Sequence, residues 1–195
     1  VDILIASGGE AGGHCGDIAT MVLVPEVVRA VRKISDIPVL AAGGIVTGEQ
    51  MAAAMAMGAA GAWCGSVWLT SPEAETNQVV KEKMLKASSR DTVRAKSRTG
   101  KPSRQLKSPW TEAWENNKKI DPLPMPLQSL VAEPALLKFD KLADSGHQGA
   151  TELATYWVGQ GVGLMTQTMS SGAIVHEFKV DFANAYERLL TLMEG

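Results

Sequence analysis

The chain has 195 residues, 45% of them hydrophobic, with 19 basic against 21 acidic side chains and a formal net charge of −2. These values describe a near-neutral globular protein of one domain with room for an appendage. They argue against a strongly basic nucleic-acid binder, and no apolar run approaches the ~18 residues of a membrane span. Cys15 and Cys64 show no CxxC spacing and follow no secretory signal, so a reduced, cytoplasmic setting is expected. Together with His14, His147 and His176 they offer no zinc-ligand spacing, and no metal is expected.

In chain order, Val1-Asp2-Ile3-Leu4-Ile5-Ala6 is apolar and rich in β-branched residues, which reads as a short buried parallel strand. It opens inside a strand without an initiator methionine, so further strands are expected upstream of Val1. Directly behind it comes Ser7-Gly8-Gly9-Glu10-Ala11-Gly12-Gly13-His14-Cys15-Gly16-Asp17. Glycines there permit positive φ and close approach of backbone to a ligand. Loops at the carboxyl ends of parallel strands are where open α/β sheets and (β/α) barrels hold their ligands. His14 is therefore the first candidate for chemistry, although the loop by itself accommodates a merely hydrogen-bonded histidine equally well.

Met21-Val22-Leu23-Val24 leads to Pro25, which suits the first turn of a helix with Val27, Val28, Ala30, Val31 and Ile34 on its apolar face, ending near Ser35-Asp36. Ile37 to Ala42 is a second buried strand closed by Gly43-Gly44. Thr47 and Gln50 form a capping-box signature for a helix over Glu49–Met57, which Gly58 ends. A third strand is expected around residues 62 to 64. This rhythm predicts consecutive βαβ units, with parallel strands side by side, right-handed crossovers and three glycine-bearing loops on one edge. Gly12, Gly13 and His14 come from the first loop, Gly43 and Gly44 from the second, and Gly65 and Ser66 from the third. A tight turn explains any one of these loops, whereas three on one edge point to a phosphate-bearing ligand held by backbone N–H groups. No loop has GxGxxG spacing and Gly100-Lys101-Pro102 is not a Walker motif, so neither a Rossmann nor a P-loop site is supported.

Beyond Leu69 the pattern changes. Ser71-Pro72-Glu73 reads as another helix start, and residues 81 to 119 hold 12 Lys or Arg against 4 Asp or Glu, leaving 7 basic and 17 acidic side chains elsewhere. Such a block can meet nucleic acid, a phosphorylated substrate or an acidic surface. Without interleaved aromatics it reads more simply as solvated helix faces plus a loop. Trp110 and Trp114, four residues apart, are expected to share one helical face in core packing. Asp121 to Pro126 reads as an extended connector, Pro134 to Ala143 as a helix broken by Asp144-Ser145-Gly146, and Glu152 to Val158 as helical. Gly159-Gln160-Gly161 is a second glycine loop, either a helix stop or a segment folding back to the ligand edge with Gln160 as a contact. Ile174 to Met193 is an amphipathic helix.

Taken together, Glu10-Ala11-Gly12-Gly13-His14-Cys15-Gly16, Pro38-Val39-Leu40-Ala41-Ala42-Gly43-Gly44-Ile45, Gly61-Ala62-Trp63-Cys64-Gly65-Ser66 and Gly159-Gln160-Gly161 resemble the nitronate monooxygenase family, formerly called 2-nitropropane dioxygenases. The resemblance implies an α/β fold: the carboxyl-terminal part of an FMN-binding TIM (β/α)8 barrel, represented by about three parallel strands, with an appended helical subdomain. On that reading residues 1–70 are the partial barrel, 71–170 the helical subdomain and 171–195 a helix returning to the barrel. It further implies His14 as the catalytic residue, FMN contacts at Gly12, Gly43, Gly44, Trp63, Cys64, Gly65 and Ser66, and oxidation of a small-molecule alkyl nitronate with O2. Many relatives have Gln-Met-Gly-Thr at the third loop, where this chain keeps a hydroxyl in Ser66 but replaces an amide with Trp63. Many also have Gln in place of Ser7. Two other readings compete: an FMN-dependent NAD(P)H enoyl-thioester reductase, which shares a similar glycine-histidine loop, and a non-catalytic half-barrel that binds a phosphate ligand.

Overall fold

A computed structural model describes residues 1–117 and 121–194. Strand β1 (Leu4–Ser7) is followed by the two-residue strand β2 (Gly13–His14), helix α1 (Thr20–Val31), β3 (Val39–Ala42), α2 (Gly48–Ala56) and β4 (Gly61–Trp63). Strands β1, β3 and β4 form a parallel sheet in that order. The expected βαβ rhythm is therefore present, and the pleat sorts the side chains by period two. Ala6, Val39 and Ala41 face α1 and α2, where they bury with Val24, Val28, Ile45, Ala54 and Ala59. Ile5, Ser7 and Ala42 face the other way, into a cavity.

The first strand is shorter and less buried than its apolarity predicts. It begins at Leu4, and Val1, Ile3 and Ile5 are 95%, 53% and 42% exposed, because β1 lies at a sheet edge and pairs only with β3. Helix α1 starts five residues before Pro25, not at it. The cause is tertiary: one Glu10 carboxylate oxygen accepts from both the N–H and the hydroxyl of Thr20, each at 2.8 Å, and so caps the helix from a loop ten residues upstream. Helix α2 follows its local code, with the Thr47–Gln50 capping box formed and Gly58 at φ +102 behind it.

The rest of the described chain supplies α3 (Gln78–Lys86), β5 (Thr92–Ala95), β6 (Ser103–Leu106), α4 (Pro109–Asn116), α5 (Leu127–Asp144), α6 (Gln148–Leu153) and α7 (Ser171–Glu194). Residues 71–73 form a turn, and α3 begins instead at Gln78, capped by Asn77, whose side chain accepts from the Val79 and Val80 N–H groups. The segment read as solvated helix and loop holds a second, antiparallel sheet in the order β2-β6-β5. Lys86, Arg90, Lys96, Lys101 and Lys107 are exposed, as a solvated face requires, but two other basic residues of the segment turn inward: Lys81 and Arg98 are each 8% exposed, with the Lys81 ammonium donating to the Ser71 and Ala74 carbonyls. Helix α5 starts seven residues before Pro134, tied down by Gln128, which accepts from Leu123 N–H and donates to the Ser97 carbonyl. The Asp144-Ser145-Gly146 break is present, with Gly146 at φ +83.

Helix α6 stops at Leu153, where a helix to Val158 is expected. Residues 154–158 run extended beside β6, with Leu106 N–H donating to the Tyr156 carbonyl and Trp157 bridging to Gln105. The tryptophans of α4 do share a face. Trp110 meets Trp114 edge-on at 5.6 Å and Phe139 of α5 at 5.6 Å, so they pack between helices and away from the cavity. Helix α7 returns to α2, where Asp181 accepts from Gly48 N–H at 3.3 Å. A second core of Val67, Val80, Met84, Leu106, Val158, Val162 and Ile174 joins these elements, and Cys64 and Phe178 touch both cores. Among the described residues no helix is long and apolar enough to cross a membrane.

Candidate active site

Ser7, Ala42 and Trp63 are register partners, one row across β1, β3 and β4 at the carboxyl ends of the strands. All three line a cavity of about 380 Å3, within the usual size of small-molecule sites. Ile5, Ala42, Val46 and Leu69 give it an apolar floor, and Tyr156 and Trp157 close one side. The chain also lines it where it turns through Gly43 and Gly44, at φ +115 and +72. A Cβ at Gly43 would also lie 2.6 Å from the Thr20 hydroxyl, so this turn requires glycine twice over. Among the described residues the N–H groups of Gly43, Gly44, Gly65 and Ser66 meet no hydrogen-bond acceptor. Four open donors among the residues lining one apolar cavity suit a ligand that carries an anionic group.

His14 lies beside this cavity, at an adjoining mouth of about 340 Å3 with Cys15, Gly16, Arg94, Lys101 and Pro102. Ser7 belongs to the walls of both recesses. The imidazole is exposed, and its Nε2 is 2.8 Å from the Thr99 hydroxyl in the β5–β6 hairpin. Its backbone is fixed as well, since β2 pairs His14 with Ser103.

The glycine-rich loop has few backbone partners of its own, and the basic segment supplies them. Arg104 donates to the Gly9 carbonyl through Nε at 3.2 Å and Nη2 at 2.7 Å. Arg94 pairs with Asp17 and donates to the Cys15 carbonyl. On the far side, Gln160 N–H donates to the Glu10 carbonyl at 2.9 Å and Gly159 N–H to the Ser66 hydroxyl at 2.8 Å. Gly12 permits this approach: a Cβ there would come within 2.8 Å of the Gly159 backbone.

Of the residues singled out in the sequence, Gly12, Gly13, Gly43, Gly44, Trp63, Gly65 and Ser66 line the cavity together. His14 occupies the neighbouring mouth. The Gly159–Gly161 loop folds back to the ligand edge, but it does so through its backbone, and Gln160 itself lines a separate recess behind Gly43-Gly44 with Glu10 and Gln50. The Cys64 side chain packs between the two cores, and its carbonyl accepts from Trp68 Nε1 at 2.7 Å. Burial pushes the Cys64 thiol up to about 11, so at pH 8 it stays protonated and unreactive. A disulfide reagent is expected to titrate Cys15 alone in the folded chain and both thiols after denaturation; two fast thiols in the folded protein would contradict this placement. Sequence reading missed Glu10, Thr99, Arg94, Arg104, Tyr156 and Trp157. Glu10 and the arginines carried no local signal, because their partners are loop atoms far along the chain.

The fold and the site define an α/β protein with a ligand cavity at the carboxyl ends of parallel strands, of the kind found in (β/α) barrel enzymes. The family model for nitronate monooxygenase matches residues 1–181, and the chain belongs to that family. It is 51% identical over 194 residues to a Mycobacterium tuberculosis protein named as a putative monooxygenase, an alignment covering 100% of this chain and 51% of the relative. Among solved structures, nitroalkane oxidase from Streptomyces ansochromogenes superposes with a TM-score of 0.80 at 29% identity, covering 97% of this chain and 54% of that one. FabK from Thermotoga maritima superposes with a TM-score of 0.76 at 35% identity, covering 98% and 58%. The chain spans about half the length of the curated relatives it matches.

Proposed function

We propose that this chain carries the reactive side of an FMN-dependent enzyme that oxidises alkyl nitronates with O2. The observation that carries the reading is the pairing of an apolar cavity, lined by four backbone N–H groups unpartnered among the described residues, with a histidine mouth sharing its Ser7 wall. The cavity fits a flavin mononucleotide: the strand ends and Trp157 would border the ring system, and the Gly43-Gly44 and Gly65-Ser66 turns would hold the phosphate. When bound, the flavin supplies the redox chemistry between substrate and O2. His14 then has two uses. Neutral, it takes the α-proton of a nitroalkane; protonated, it pairs with the anionic nitronate. Lys101 and Arg94 add positive charge at the same mouth, which favours an anionic substrate.

Residues 1–70 would then be the last three strands of a (β/α)8 barrel, with 71–170 the appended subdomain and 171–195 a helix returning to the barrel. The uncovered apolar side chains support this: Ile3 just before β1, Ile5 on β1, Met21 and Val22 on α1 and Trp63 on the opposite edge strand are all more than 40% exposed. The test is oxygen uptake by the full-length protein reconstituted with FMN. Uptake dependent on an alkyl nitronate is the expected result. Steady NADH oxidation with an enoyl thioester and none with nitronate would replace this function by that of a thioester reductase, and failure to retain FMN would remove both.

A further inference from the structure

The hydroxyl of Thr99 is surrounded by three hydrogen-bonding partners. Lys101 N–H donates to it at 3.3 Å, it lies 3.1 Å from the Lys101 carbonyl, and His14 Nε2 is 2.8 Å away. A hydroxyl has one proton and two lone pairs. The Lys101 N–H takes one lone pair. The Lys101 carbonyl has only lone pairs to offer, and two oxygens 3.1 Å apart repel unless a proton lies between them, so the Thr99 proton points at that carbonyl. One lone pair then remains for His14, and it is filled only if Nε2 carries a hydrogen.

We infer that Thr99 is a positioning residue that holds His14 as its Nε2–H tautomer and leaves Nδ1 as the basic nitrogen of the ring. Thr99 is suited to this because it does not move freely. It is 6% exposed, and Gly100 beside it turns at φ +83, with its N–H on the Lys96 carbonyl. The hairpin is anchored from behind by Gln105 on the Ser97 hydroxyl and Gln128 on the Ser97 carbonyl. The Arg98–Glu133 pair ties it to α5. His14 is fixed from the other direction by its pairing with Ser103. Both ends of the Thr99–His14 contact are thus held by one sheet, 85 residues apart in sequence. Fixing the tautomer decides which nitrogen serves as base, a choice that a solvent-exposed imidazole would otherwise leave to exchange.

The use of Nδ1 as a base rests on the function proposed above, whereas the tautomer does not. Nitrogen-15 NMR of the labelled protein, on the alkaline side of the His14 titration and assigned by loss of its signals in His14→Gln, separates the two. The expected result is a protonated Nε2 and a bare Nδ1 in the wild type, retained in Thr99→Ser and replaced by a mixture in Thr99→Val. An Nδ1–H wild type, or a Thr99→Val spectrum identical to it, overturns the inference; if Thr99→Val fails to fold, the wild-type tautomer and its retention in Thr99→Ser decide. In turnover, Thr99→Val is expected to lower kcat by about 10–100-fold, by analogy with the loss when a metal-bound histidine is deprived of its orienting hydrogen-bond partner, with KM little changed. An enzyme inactive on nitronates yet showing the Nε2–H signature would end the functional reading and keep the tautomer; the reverse pattern would end only the role of Thr99.

Discussion

Replacement of His14 by alanine is expected to lower turnover of an alkyl nitronate by about 10²–10⁴-fold, the range associated with a general acid–base group, while FMN stays bound. The two halves of this expectation come from different parts of the structure. Retention of flavin follows because the imidazole lies outside the cavity: none of the open N–H donors and none of the apolar floor belongs to it. Loss of turnover follows because, with the ring gone, Lys101 and Arg94 are the cations left at that mouth, and Arg94 is already paired with Asp17. These attract an anion but do not supply the imidazole base that the proton transfer uses. A visible flavin spectrum with wild-type turnover in His14→Ala would remove the histidine from the chemistry. Loss of the flavin itself would show that the loop is structural, and the Gly9 carbonyl held by Arg104 is where that dependence would originate. Glutamine at the same position separates these cases, since it keeps a hydrogen-bonding group near Thr99 and has no basic nitrogen.

How much of this was legible beforehand depends on whether the cause was local. The β-α-β run of residues 4–63 was legible because each of its signals acts within a few residues: the apolar strands, the Thr47–Gln50 box and the glycines after each strand. That three loops share one edge followed from parallel pairing alone. What stayed hidden was non-local. The start of α1 depends on a carboxylate ten positions upstream, so Pro25, a good first-turn residue by its own geometry, gave the wrong boundary. The second sheet was invisible for a different reason. Thr-Val-Arg-Ala alternates over only four residues inside a basic segment, and Ser-Arg-Gln-Leu does not alternate at all, since Ser103 and Gln105 are fully buried and their polar groups are mostly satisfied by Trp157, Ser97 and the strand ladder. A buried polar network of this kind has the composition of a surface loop. For the same reason Arg94 and Arg104 read as solvated, although their guanidinium groups complete the hydrogen bonding of a glycine loop 77 to 95 residues away.

Arg98 is where that misreading carries the largest energetic consequence. Its side chain is 9% exposed and makes a two-pronged contact with Glu133, Nε to Oε1 at 2.7 Å and Nη2 to Oε2 at 3.0 Å. The guanidinium plane also lies 4.2 Å from the Trp157 ring and 5.3 Å from that of Tyr156, the two aromatics that close the cavity. Breaking a buried pair from one side costs about 3–5 kcal/mol. Glu133 is 36% exposed and recovers some hydration, so the lower end, about 3 kcal/mol, is expected for Arg98→Ala. That loss should appear as a lower urea midpoint with unchanged slope. Lysine is expected to rescue little, because it keeps the charge but has neither the planar fork nor the stacking face. The deficit also has a pH signature. Burial raises the Asp140 carboxyl, and Arg98 opposes that rise. Without Arg98 the folded-state value moves further above the ordinary one, near ~3.9. Between those values the folded state binds more protons than the unfolded, so stability falls as pH rises through that window. The Arg98→Ala deficit should therefore be smaller below about pH 4 and grow toward neutrality. A pH-independent deficit would place Asp140 outside the reach of this charge. An unchanged midpoint would mean that the stack on Trp157 and the Glu133 pair contribute nothing net. If the midpoint drops as expected, weaker FMN retention should accompany it, because the wall formed by Tyr156 and Trp157 loses the cation packed behind it.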